Sequence, residues 1–525
     1  MPLLRNSFYS VHVMKQEAGK NGFVYLIGAG PGDPGLITVK GRDCLAKAQV
    51  VLYDYLANDE LLRLAPKGAE LVYAGKVGGE HNREQSQIND LLVEKALSGK
   101  IVARLKGGDS FIFGRGGEEC EALVEAGIPF EIVPGITAAV GATSYAGIPL
   151  THRGITTSVA FVTGHEKTGK MSSEIDWEGL SLGSGTVVFY MGVKNLPHIA
   201  ENLLAHGRAP ETPVALIRWG TRPEQEVLIG TLADIAEKAR QVGFKAPAIT
   251  VVGEVVNLRE SLRWFDNRPL FGRSIMVTRG ADQAGEFSSK LERLGARAYC
   301  CPTIELTPPE SHAELDEAIL ALDSFHWIIF TSYNAVKYFF ARLEKHGLDS
   351  RALGRCRVCA VGPKTAAALV PYGVRADLVP SEYKAEGVVE AFAEMDMTGK
   401  WVLFPKGDRA REVISEELGR LGAQVMAPVA YANRTPDDIP AGALFALEER
   451  RVDCVTFTSS STVRNLAGIL GENRFLHLLE GVKVASIGPI TSKTCRDLGL
   501  DVHMEPAEYT LDALAAELVE YFKTC

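Results

Sequence analysis

One glycine-rich stretch, Arg104–Glu119, combines the residue types that suit a ligand with apolar and anionic parts. It starts as an apolar strand and then reaches Gly107–Asp109, where two adjacent glycines permit positive φ and close approach of a ligand to the backbone. The aspartate of this loop can accept hydrogen bonds from a hydroxyl or an amine. Apolar Phe111–Phe113 and the lone cation Arg115 follow, and two glutamates then suit the first turn of a helix. The pattern predicts a strand, a ligand-binding loop and a helix; a corner without a ligand is the alternative.

Two charged residues, Asp54 and Lys76, each follow a short apolar strand. Ligands of α/β proteins collect at the carboxyl ends of the strands, so both side chains are expected near the loop at Gly107–Asp109. In such a cleft the carboxylate could serve as a base and the ammonium as an acid. Two ordinary surface charges are the alternative.

The first strand and its loop, Phe23–Asp33, resemble a dinucleotide-binding fingerprint at first sight. Two features argue against this interpretation. Asp33 replaces the third glycine of GxGxxG, and Pro31 and Pro34 interrupt the loop where the helix should begin. A nicotinamide-dependent oxidoreductase is therefore the less favoured alternative.

The elements that position these loops can be followed to about residue 265. Short apolar runs that end in glycine or polar corners predict the strands of an α/β fold. These runs are 23–27, 50–53, 71–74, 101–105, 159–163, 186–191, 213–218 and 248–252. Small residues after Pro134 predict a closely packed helix start, and the pattern divides into two lobes, about 22–133 and 134–265.

Composition limits the class of protein. A net charge of −9 argues against general nucleic-acid binding, and no apolar run is long enough to span a membrane. The nine cysteines include one CxxC pair, Cys356 and Cys359, and no second pair that would complete a metal-ligand set, which indicates reduced thiols, a cytoplasmic protein and no metal site. Residues 1–21 are polar and are expected to form a disordered extension.

The first half resembles uroporphyrinogen-III C-methyltransferase, of the tetrapyrrole methylase family, from residue 22 to about residue 265. The stretches that carry the resemblance are Ile27–Asp33, Tyr53-Asp54, Gly75-Lys76, Arg104–Glu119, Val133–Ala139, Gly147–Arg153, Val162–His165 and Phe189–Gly192. Each stretch is short, but together they extend over the whole half. The resemblance implies a two-lobed fold that is not a Rossmann domain, a homodimer through this half, and S-adenosylmethionine bound between the lobes.

The resemblance also implies roles for individual residues. Asp54 is expected to be the proton acceptor of carbon methylation, and Lys76 the proton donor. The residues expected to contact S-adenosylmethionine are Pro31, Gly107, Gly108, Asp109, Ile112, Thr137, Ala138, Met191 and Gly220. The residues expected to hold the tetrapyrrole are Arg115, Glu118 and Arg153. Two positions depart from the family pattern: Tyr55 replaces a frequent arginine, and Ser110 replaces a proline whose loss should loosen its loop.

The second half contains an internal repeat with a period of about 127 residues. The repeated pairs are Leu291–Arg297 and Leu418–Gln424, Phe330–Val336 and Phe457–Val463, and Ala360–Thr365 and Ser486–Thr491. The Thr-Ser and Gly-Pro-x-Thr sequences in these pairs are typical of helix N-termini, which offer capping hydroxyls and free backbone amides. Such amides facing one cleft would bind a polyanion; ordinary helix capping is the alternative.

This half resembles uroporphyrinogen-III synthase over about residues 272–522. The matching stretches are Val277–Arg279, Phe330–Ser332, Val361–Pro363, Pro428–Tyr431, Phe457–Ser459 and Ile487–Pro489. The resemblance implies closure of linear hydroxymethylbilane to uroporphyrinogen III, with Tyr431 in the catalytic region and Ser332 and Thr365 as substrate contacts. The chain predicts a linker at 266–272 and then a domain at 273–525, whose lobes are about 273–302 plus 431–522, and about 305–428.

The two halves would catalyse consecutive steps, because the product of the synthase is the substrate of the methyltransferase. We therefore hypothesise a bifunctional cytoplasmic α/β enzyme that makes uroporphyrinogen III and methylates it at C2 and C7 to precorrin-2. Sirohaem and cobalamin are both compatible end products. An alternative is an active methyltransferase whose second half binds tetrapyrroles without catalysis.

Overall fold

The chain forms two compact α/β units, which are described one at a time. The computed structural model describes residues 22–75, 84–164 and 175–524. The first unit comprises Met1–Arg273 with Leu294–Arg297, and the second comprises Ser274–Arg293 with Ala298–Cys525. The extension expected at residues 1–21 and the expected proton donor Lys76 lie outside the described residues.

Five parallel strands form the first sheet of the first unit. They are β1 (Phe23–Gly28), β2 (Val50–Tyr53), β3 (Glu70–Tyr73), β4 (Ile101–Lys106) and β5 (Phe130–Val133), in the order β3-β2-β4-β1-β5. Ile27 and Leu105 belong to one core cluster, and Leu26 and Val102 belong to another. Neighbouring residues of one strand point to opposite faces, so both faces of the sheet are covered, and this explains the continuous apolar runs in the sequence.

The order of this sheet removes the basis for the nicotinamide alternative. A dinucleotide-binding unit needs β1 and β2 side by side, joined by a helix that begins in the glycine loop. Here β4 lies between β1 and β2, and a 3-10 turn at Pro34–Leu36 precedes helix α1 (Val39–Leu45). Asp33 caps this turn, because its Oδ1 accepts a hydrogen bond of 2.7 Å from the Gly35 N–H.

The second sheet of the first unit is mixed. Its strands are β6 (Val159–Thr163), β7 (Thr186–Tyr190), β8 (Pro213–Arg218), β9 (Glu226–Thr231) and β10 (Ala248–Val252). Their order is β6-β7-β10-β8-β9, in which β6 and β7 are parallel and the other neighbours are antiparallel. The sequence predicted four of these strands and missed β9, an edge strand with little buried surface.

Helices of the first unit connect these strands. They are α1, α2 (Gln85–Leu97), α3 (Gly116–Glu125), α4 (Ala138–Tyr145), α5 (Trp177–Gly183), α6 (Leu196–Ala205), α7 (Ile235–Gln241) and α8 (Arg259–Leu262), with further 3-10 helices at Asp59–Leu64, Val193–Asn195 and Glu254–Leu258. At the end of this unit the Phe265 ring lies 4.8 Å from the Tyr145 ring of α4, and the Phe271 ring lies 5.4 Å from Phe265. The stretch expected to be a linker thus contributes to a packed aromatic cluster.

The described residues of the second unit form three sheets. Their strands are β11 (Ser274–Val277), β12 (Arg297–Cys300), β13 (Glu305–Thr307), β14 (Trp327–Phe330), β15 (Arg357–Ala360), β16 (Trp401–Leu403), β17 (Lys406–Gly407), β18 (Gln424–Met426), β19 (Val429–Arg434), β20 (Cys454–Phe457) and β21 (Lys483–Ser486). One sheet has the order β12-β11-β20-β21, and another has the order β15-β14-β16-β18. The small third sheet has the order β13-β19-β17. The chain leaves the sheet β12-β11-β20-β21 through β13 and returns to it through β19.

Several helices of the second unit recur with the period of the internal repeat. They are α9 (Ala281–Arg293), α10 (Ala313–Leu320), α11 (Tyr333–Lys345), α12 (Pro363–Leu369), α13 (Ala385–Ala393), α14 (Val413–Arg420), α15 (Ala441–Glu448), α16 (Ser460–Leu470), α17 (Glu472–Leu479), α18 (Pro489–Asp497) and α19 (Leu511–Thr524), with 3-10 helices at Leu322–Ser324, Ser350–Leu353 and Val370–Tyr372. The predicted helix starts are confirmed. Ser332 and Ser459 cap α11 and α16 with their side chains, and Gly362 and Gly488 precede the prolines that begin α12 and α18. None of the helices in the described parts of the chain is long and apolar enough to cross a bilayer.

An ion cluster joins α10 to the end of α11 in the second unit. The Asp316 carboxylate accepts two hydrogen bonds from the Arg342 guanidinium and lies 2.9 Å from the His346 ring. The Arg342 hydrogen bonds, with a smaller contribution from His346, hold the pKa of Asp316 well below its usual range. Because the folded-state pKa is depressed, the cluster stabilises the fold above the unfolded value of about 4, and this stabilisation is lost as the pH falls toward the folded value.

We therefore expect Asp316→Asn to lower the stability of the second unit by about 1 kcal/mol at neutral pH, as for other partly exposed ion pairs. Urea unfolding at pH values of about 7 and about 3 measures the effect. The difference from the wild type should shrink at the lower pH. An equal difference at both pH values would contradict the prediction.

Candidate active sites

The loops that follow β1, β4 and β5 pack backbone against backbone at the carboxyl edge of the first sheet. Gly30 and Gly108 exchange hydrogen bonds of 3.1 and 2.7 Å. An added Cβ on Gly135 would lie 2.4 Å from the Gly108 oxygen, and one on Gly28 would lie 2.5 Å from the Gly135 nitrogen. At Gly108, whose φ is +70°, the nearest neighbour of an added Cβ is the Ala138 nitrogen at 3.7 Å. A Cβ at Gly108 would thus be in ordinary van der Waals contact with the start of α4, whereas Gly28 and Gly135 have no room for a side chain.

The Asp109 side chain accepts hydrogen bonds from two of these loops. Its Oδ1 accepts a hydrogen bond of 2.8 Å from the Phe111 N–H, and its Oδ2 accepts one of 2.9 Å from the Gly135 N–H. Ser110, which was expected to loosen the loop, is fully buried, and its carbonyl accepts a hydrogen bond of 2.9 Å from the Gly116 N–H. Hydrogen bonds within the chain thus hold this loop in place.

Tyr190, at the end of β7, brings the second lobe of the first unit to this edge. Its hydroxyl lies 2.6 Å from Thr137 Oγ1 and accepts a hydrogen bond of 3.0 Å from the Ala139 N–H, so it caps the N-terminus of α4. Its ring lies 4.9 Å from the Phe113 ring, and burial raises the pKa of its phenol. Thr137, an expected cofactor contact, is thereby held beside the loop that follows β4.

Helix α4 also meets two further residues that were expected to contact the cofactor. An added Cβ on Gly141 of α4 would lie 2.4 Å from Pro31 Cγ, and one on Gly220 would lie 2.2 Å from another α4 side chain. Thr221, next in the chain, accepts a hydrogen bond of 2.9 Å from the Asp33 N–H. The loops after β1 and β8 therefore converge on α4.

Backbone strain is concentrated in the same region. Among the described residues, six non-glycine residues have left-handed φ, and five of them lie in loops after β4, β7 and β8. These five are Phe113 (53°), Arg115 (58°), Met191 (55°), Trp219 (47°) and Thr221 (72°). Such conformations cost about 1–3 kcal/mol each and cluster at sites that bind ligands. Ile112 and Met191, both expected cofactor contacts, expose apolar side chains on these loops.

The expected proton acceptor, Asp54, lies just after β2, and its side chain is 21% exposed. Its Oδ1 accepts hydrogen bonds from the N–H groups of Leu56 at 3.1 Å and Ala57 at 3.3 Å. Its Oδ2 lies 3.6 Å from Nη2 of Arg104. Burial, with a smaller contribution from the Asp54 charge, raises the pKa of the Tyr55 phenol. Leu56 also contacts the glycine loop, since an added Cβ on Gly107 would lie 2.4 Å from its Cβ.

A buried ion cluster that the sequence did not predict lies behind Asp54. Glu119 Oε1 accepts hydrogen bonds from Arg104 Nε at 3.1 Å and from Lys106 Nζ at 2.8 Å. The three side chains are at most 6% exposed. Burial, and secondly the charge of Arg104, lowers the pKa of Lys106. Because side chains alternate along a strand, the spacing of Arg104 and Lys106 was the available signal that both cations share one face of β4.

The residues expected to hold the tetrapyrrole lie at the surface. Arg115 and Glu118 form a two-pronged ion pair of 2.8 and 2.6 Å, and both are about half exposed. Arg153 is exposed on the loop after α4. In the described ranges, no three His, Cys, Asp or Glu side chains are grouped as a metal ion would require.

In the second unit, Tyr431 of β19 lies beside α11. Its hydroxyl is 3.2 Å from Ser332 Oγ, and its ring stacks on Tyr338 with the centroids 5.5 Å apart. Gly407 of β17 provides the space, because an added Cβ there would lie 2.9 Å from the Tyr431 ring. Thr365 is buried in the first turn of α12. The structure thus brings Tyr431 and Ser332 together and places Thr365 on a separate helix.

A second repeated motif flanks the Gly-Pro helix starts, and the sequence analysis missed it. Pro380–Tyr383 (PSEY) recurs as Pro506–Tyr509 (PAEY), in register with the other repeats. The first of these tyrosine rings lies 3.3 Å from where a Cβ on Gly362 would be, and the second lies 2.8 Å from one on Gly488. The two rings are 64% and 63% exposed. The repeated Pro-x-Glu-Tyr sequence was the signal for this matched pair.

Comparison with known proteins gives two family matches. The family described as tetrapyrrole (corrin/porphyrin) methylases matches residues 24–236, and the family described as uroporphyrinogen-III synthase HemD matches residues 285–516. The porphyrin biosynthesis protein HemD of Ruminiclostridium josui is 36% identical over 501 residues, which are 95% of this chain and 98% of that protein. The S-adenosyl-L-methionine-dependent uroporphyrinogen III methyltransferase of Methanosarcina barkeri is 53% identical over 245 residues, which are 47% of this chain and 96% of that protein.

Among solved structures, a uroporphyrin-III C-methyltransferase of Thermus thermophilus complexed with S-adenyl homocysteine is 40% identical, with a TM-score of 0.40 over 45% of this chain and all of that chain. The family matches make the first half a tetrapyrrole methylase and the second half a uroporphyrinogen-III synthase. The chain belongs to the family of the porphyrin biosynthesis protein HemD, which it matches over nearly its whole length.

Proposed function

We propose that the second half of this protein closes hydroxymethylbilane to uroporphyrinogen III, and that the first half methylates this product at C2 and C7 to precorrin-2. One observation carries the proposal: a single chain joins a tetrapyrrole methylase to the synthase that makes a tetrapyrrole. The Asp54 carboxylate at the sheet edge supports it, because carbon methylation requires a proton acceptor.

The methyl donor is proposed to be S-adenosylmethionine, on which the M. barkeri relative depends by name. The positive φ of Gly108 and its lack of a side chain support a binding loop here, because a ligand can approach a glycine backbone closely. The contacts are proposed to be Pro31, Gly107, Gly108, Asp109, Ile112, Thr137, Ala138, Met191 and Gly220. When bound, S-adenosylmethionine supplies a methyl group activated by a sulfonium. The loops of the chain align the acceptor carbon and exclude water.

Proton transfer is proposed to fall to Asp54 and Lys76. The proton that leaves the macrocycle would go to Asp54 Oδ2, since the backbone amides already hold Oδ1. Lys76, which lies outside the described residues, would donate a proton. Arg115, Glu118 and Arg153 are proposed to hold the tetrapyrrole. Guanidinium groups are well matched to its carboxylates, and Glu118 forms an ion pair with Arg115.

In the synthase half, Tyr431 is proposed to assist departure of the bilane hydroxyl, and Ser332 and Thr365 to contact the substrate. The hydroxyls of Tyr431 and Ser332 are close enough to act together. A phenol is only a weak acid, so most of the catalysis is proposed to come from steering the chain ends by backbone amides at the capped helix starts.

We accordingly expect Tyr431→Phe to reduce the synthase rate only about three- to tenfold, because one hydrogen bond of about 1 kcal/mol is lost. Liquid chromatography of the type III and type I isomers measures the effect. Tyr521→Phe, on α19, is the matched control and should leave the rate unchanged. Complete loss of type III product with Tyr431→Phe would contradict steering as the main source of catalysis.

The assembly and location are also proposed. The protein would be a cytoplasmic homodimer that associates through its methyltransferase half, without membrane or nucleic acid as a partner. The net charge of −9 supports the absence of nucleic acid. The domain bounds proposed are 22–265 and 273–525, with the junction at 266–272. Precorrin-2 would then serve sirohaem or cobalamin synthesis.

Supplying each substrate separately tests the two halves. With uroporphyrinogen III and S-adenosylmethionine, we expect two methyl groups per macrocycle. With hydroxymethylbilane alone, we expect the type III isomer rather than the type I isomer that forms without an enzyme. A protein that methylates uroporphyrinogen III but yields only type I product from the bilane would have a second half that binds without catalysis.

A further inference from the structure

The buried cluster behind Asp54 is built around a single carboxylate oxygen. Glu119 Oε1 accepts hydrogen bonds from Arg104 Nε, Lys106 Nζ and Gln85 Nε2, at 3.1, 2.8 and 3.3 Å. Glu119 is fully buried, and its Oε2 has no hydrogen-bond partner among the described residues. A buried ion group of this kind is costly to fold, and apolar residues of similar volume often serve stability as well. The burial of the cluster is therefore weak evidence that it serves stability.

Arg104 links this cluster to the end of β2. Its Nη1 donates to the carbonyl oxygens of Leu52 at 3.4 Å and Leu105 at 3.2 Å, while Nε is held by Glu119. A planar guanidinium fixed at two nitrogens has no freedom to rotate. Its third nitrogen, Nη2, lies 3.6 Å from Asp54 Oδ2, which is an ion-pair distance rather than a hydrogen bond.

The Asp54 carboxylate is thus held from two sides by different elements. The N–H groups of Leu56 and Ala57, in its own loop, bind Oδ1, and Arg104 of β4 approaches Oδ2. Arg104 adds an ion-pair contact at the second oxygen, Oδ2, to which these two backbone amides do not donate. The Arg104 side chain is only 3% exposed, so it does not itself bind a large substrate, and Asp54 is the site residue that it approaches.

We propose that Arg104, oriented by Glu119, is a positioning residue for Asp54 and sets the orientation of the oxygen that accepts the proton during methylation. This inference rests on the proposed role of Asp54 as proton acceptor. Small misplacements of a catalytic group cost up to about a hundredfold in rate, so the effect of losing Arg104 is expected in the chemical step rather than in substrate binding.

A double-mutant cycle on the full chain tests the proposal. Arg104→Met should lower the kcat of methylation about ten- to a hundredfold and leave the KM for uroporphyrinogen III and for S-adenosylmethionine within about twofold. In an Asp54→Asn background, Arg104→Met should have no further effect, because residues that act through one another are not additive. Multiplicative losses, or an Arg104→Met enzyme with normal kcat, would overturn the proposal.

Two variants separate positioning from a general loss of structure. Arg104→Lys keeps the charge but cannot bind Glu119 and reach Asp54 together, so an intermediate kcat is expected. Arg208→Met removes another partly buried arginine, which donates to the carbonyl oxygens of Ser184 and Gly185, and should lower the melting temperature without changing kcat. A lower kcat in Arg208→Met, or full activity of Arg104→Lys, would count against the proposal.

The same experiment distinguishes this inference from the proposed function. If Asp54→Asn is fully active, Asp54 is not the proton acceptor and both ideas fail. If Asp54→Asn is inactive and Arg104→Met has a normal kcat, only the role of Arg104 is wrong.

Discussion

Asp54→Asn should lower the kcat of uroporphyrinogen III methylation about 10²- to 10⁴-fold, the usual range for loss of a positioned base. The substitution keeps the size of the side chain, and its amide oxygen can still accept the hydrogen bonds that Leu56 and Ala57 donate to Oδ1. The loop should therefore keep its structure while the carboxylate that takes the proton is lost. The rate is measured from transfer of labelled methyl groups to the macrocycle.

The expected loss is specific to one residue and one reaction. Asp59→Asn, in the 3-10 helix of the same loop, is the matched control and should have normal activity. Synthase activity should be unchanged in both variants, because Asp54 belongs to the first unit and Tyr431 to the second. A loss of less than about tenfold in Asp54→Asn would mean that another group accepts the proton.

Gly135→Ala should be the most damaging change to the methylase fold. The added Cβ would lie 2.4 Å from the Gly108 oxygen and 2.7 Å from Gly28 backbone atoms, and backbone on both sides cannot move aside as a flexible side chain would. Overpacking of this kind costs typically about 1–3 kcal/mol and occasionally more, and we expect a loss of about 3 kcal/mol. Because Asp109 Oδ2 is bound by the Gly135 N–H, the loop at Gly108 should be displaced and methylation should fall below detection.

Gly117→Ala provides the matched control. Gly117 lies in α3, and an added Cβ there would have no neighbour within 4 Å. Alanine is the better helix former, so the stability should be unchanged or slightly higher. Thermal unfolding, with assays of both activities, measures the pair of variants. Equal stability of Gly135→Ala and Gly117→Ala would contradict the prediction, because the backbone around Gly135 would then accommodate a Cβ without cost.

Much of the fold was predictable from short-range patterns. The strands predicted at 50–53, 159–163, 213–218 and 248–252 have the observed bounds, because each is an apolar run between polar or glycine corners. The helix starts of the second half were predictable for a similar reason, since Ser and Gly-Pro act on the first turn that follows them. The family of each half followed from motifs that extend over all of it.

Long-range pairing was not predictable from the sequence. The sequence predicts the same environment for Glu118 and Glu119, as acids in the first turn of a helix. In the structure Glu118 is half exposed beside Arg115, whereas Glu119 is fully buried. The difference arises only in the folded unit, where Glu119 of α3 meets Arg104 of β4. The cap that Tyr190 provides for α4 likewise depends on the two lobes of the first unit meeting. Neither contact has a local signature.

The central claim, that one chain makes uroporphyrinogen III and then methylates it, is tested most directly in one vessel. The full chain is given hydroxymethylbilane and S-adenosylmethionine, and the products are separated by isomer and by the number of methyl groups. Dimethylated type III product, formed without added uroporphyrinogen III, is the predicted result. Absence of any methylated product, both from the bilane and from uroporphyrinogen III supplied ready-made, would contradict the claim.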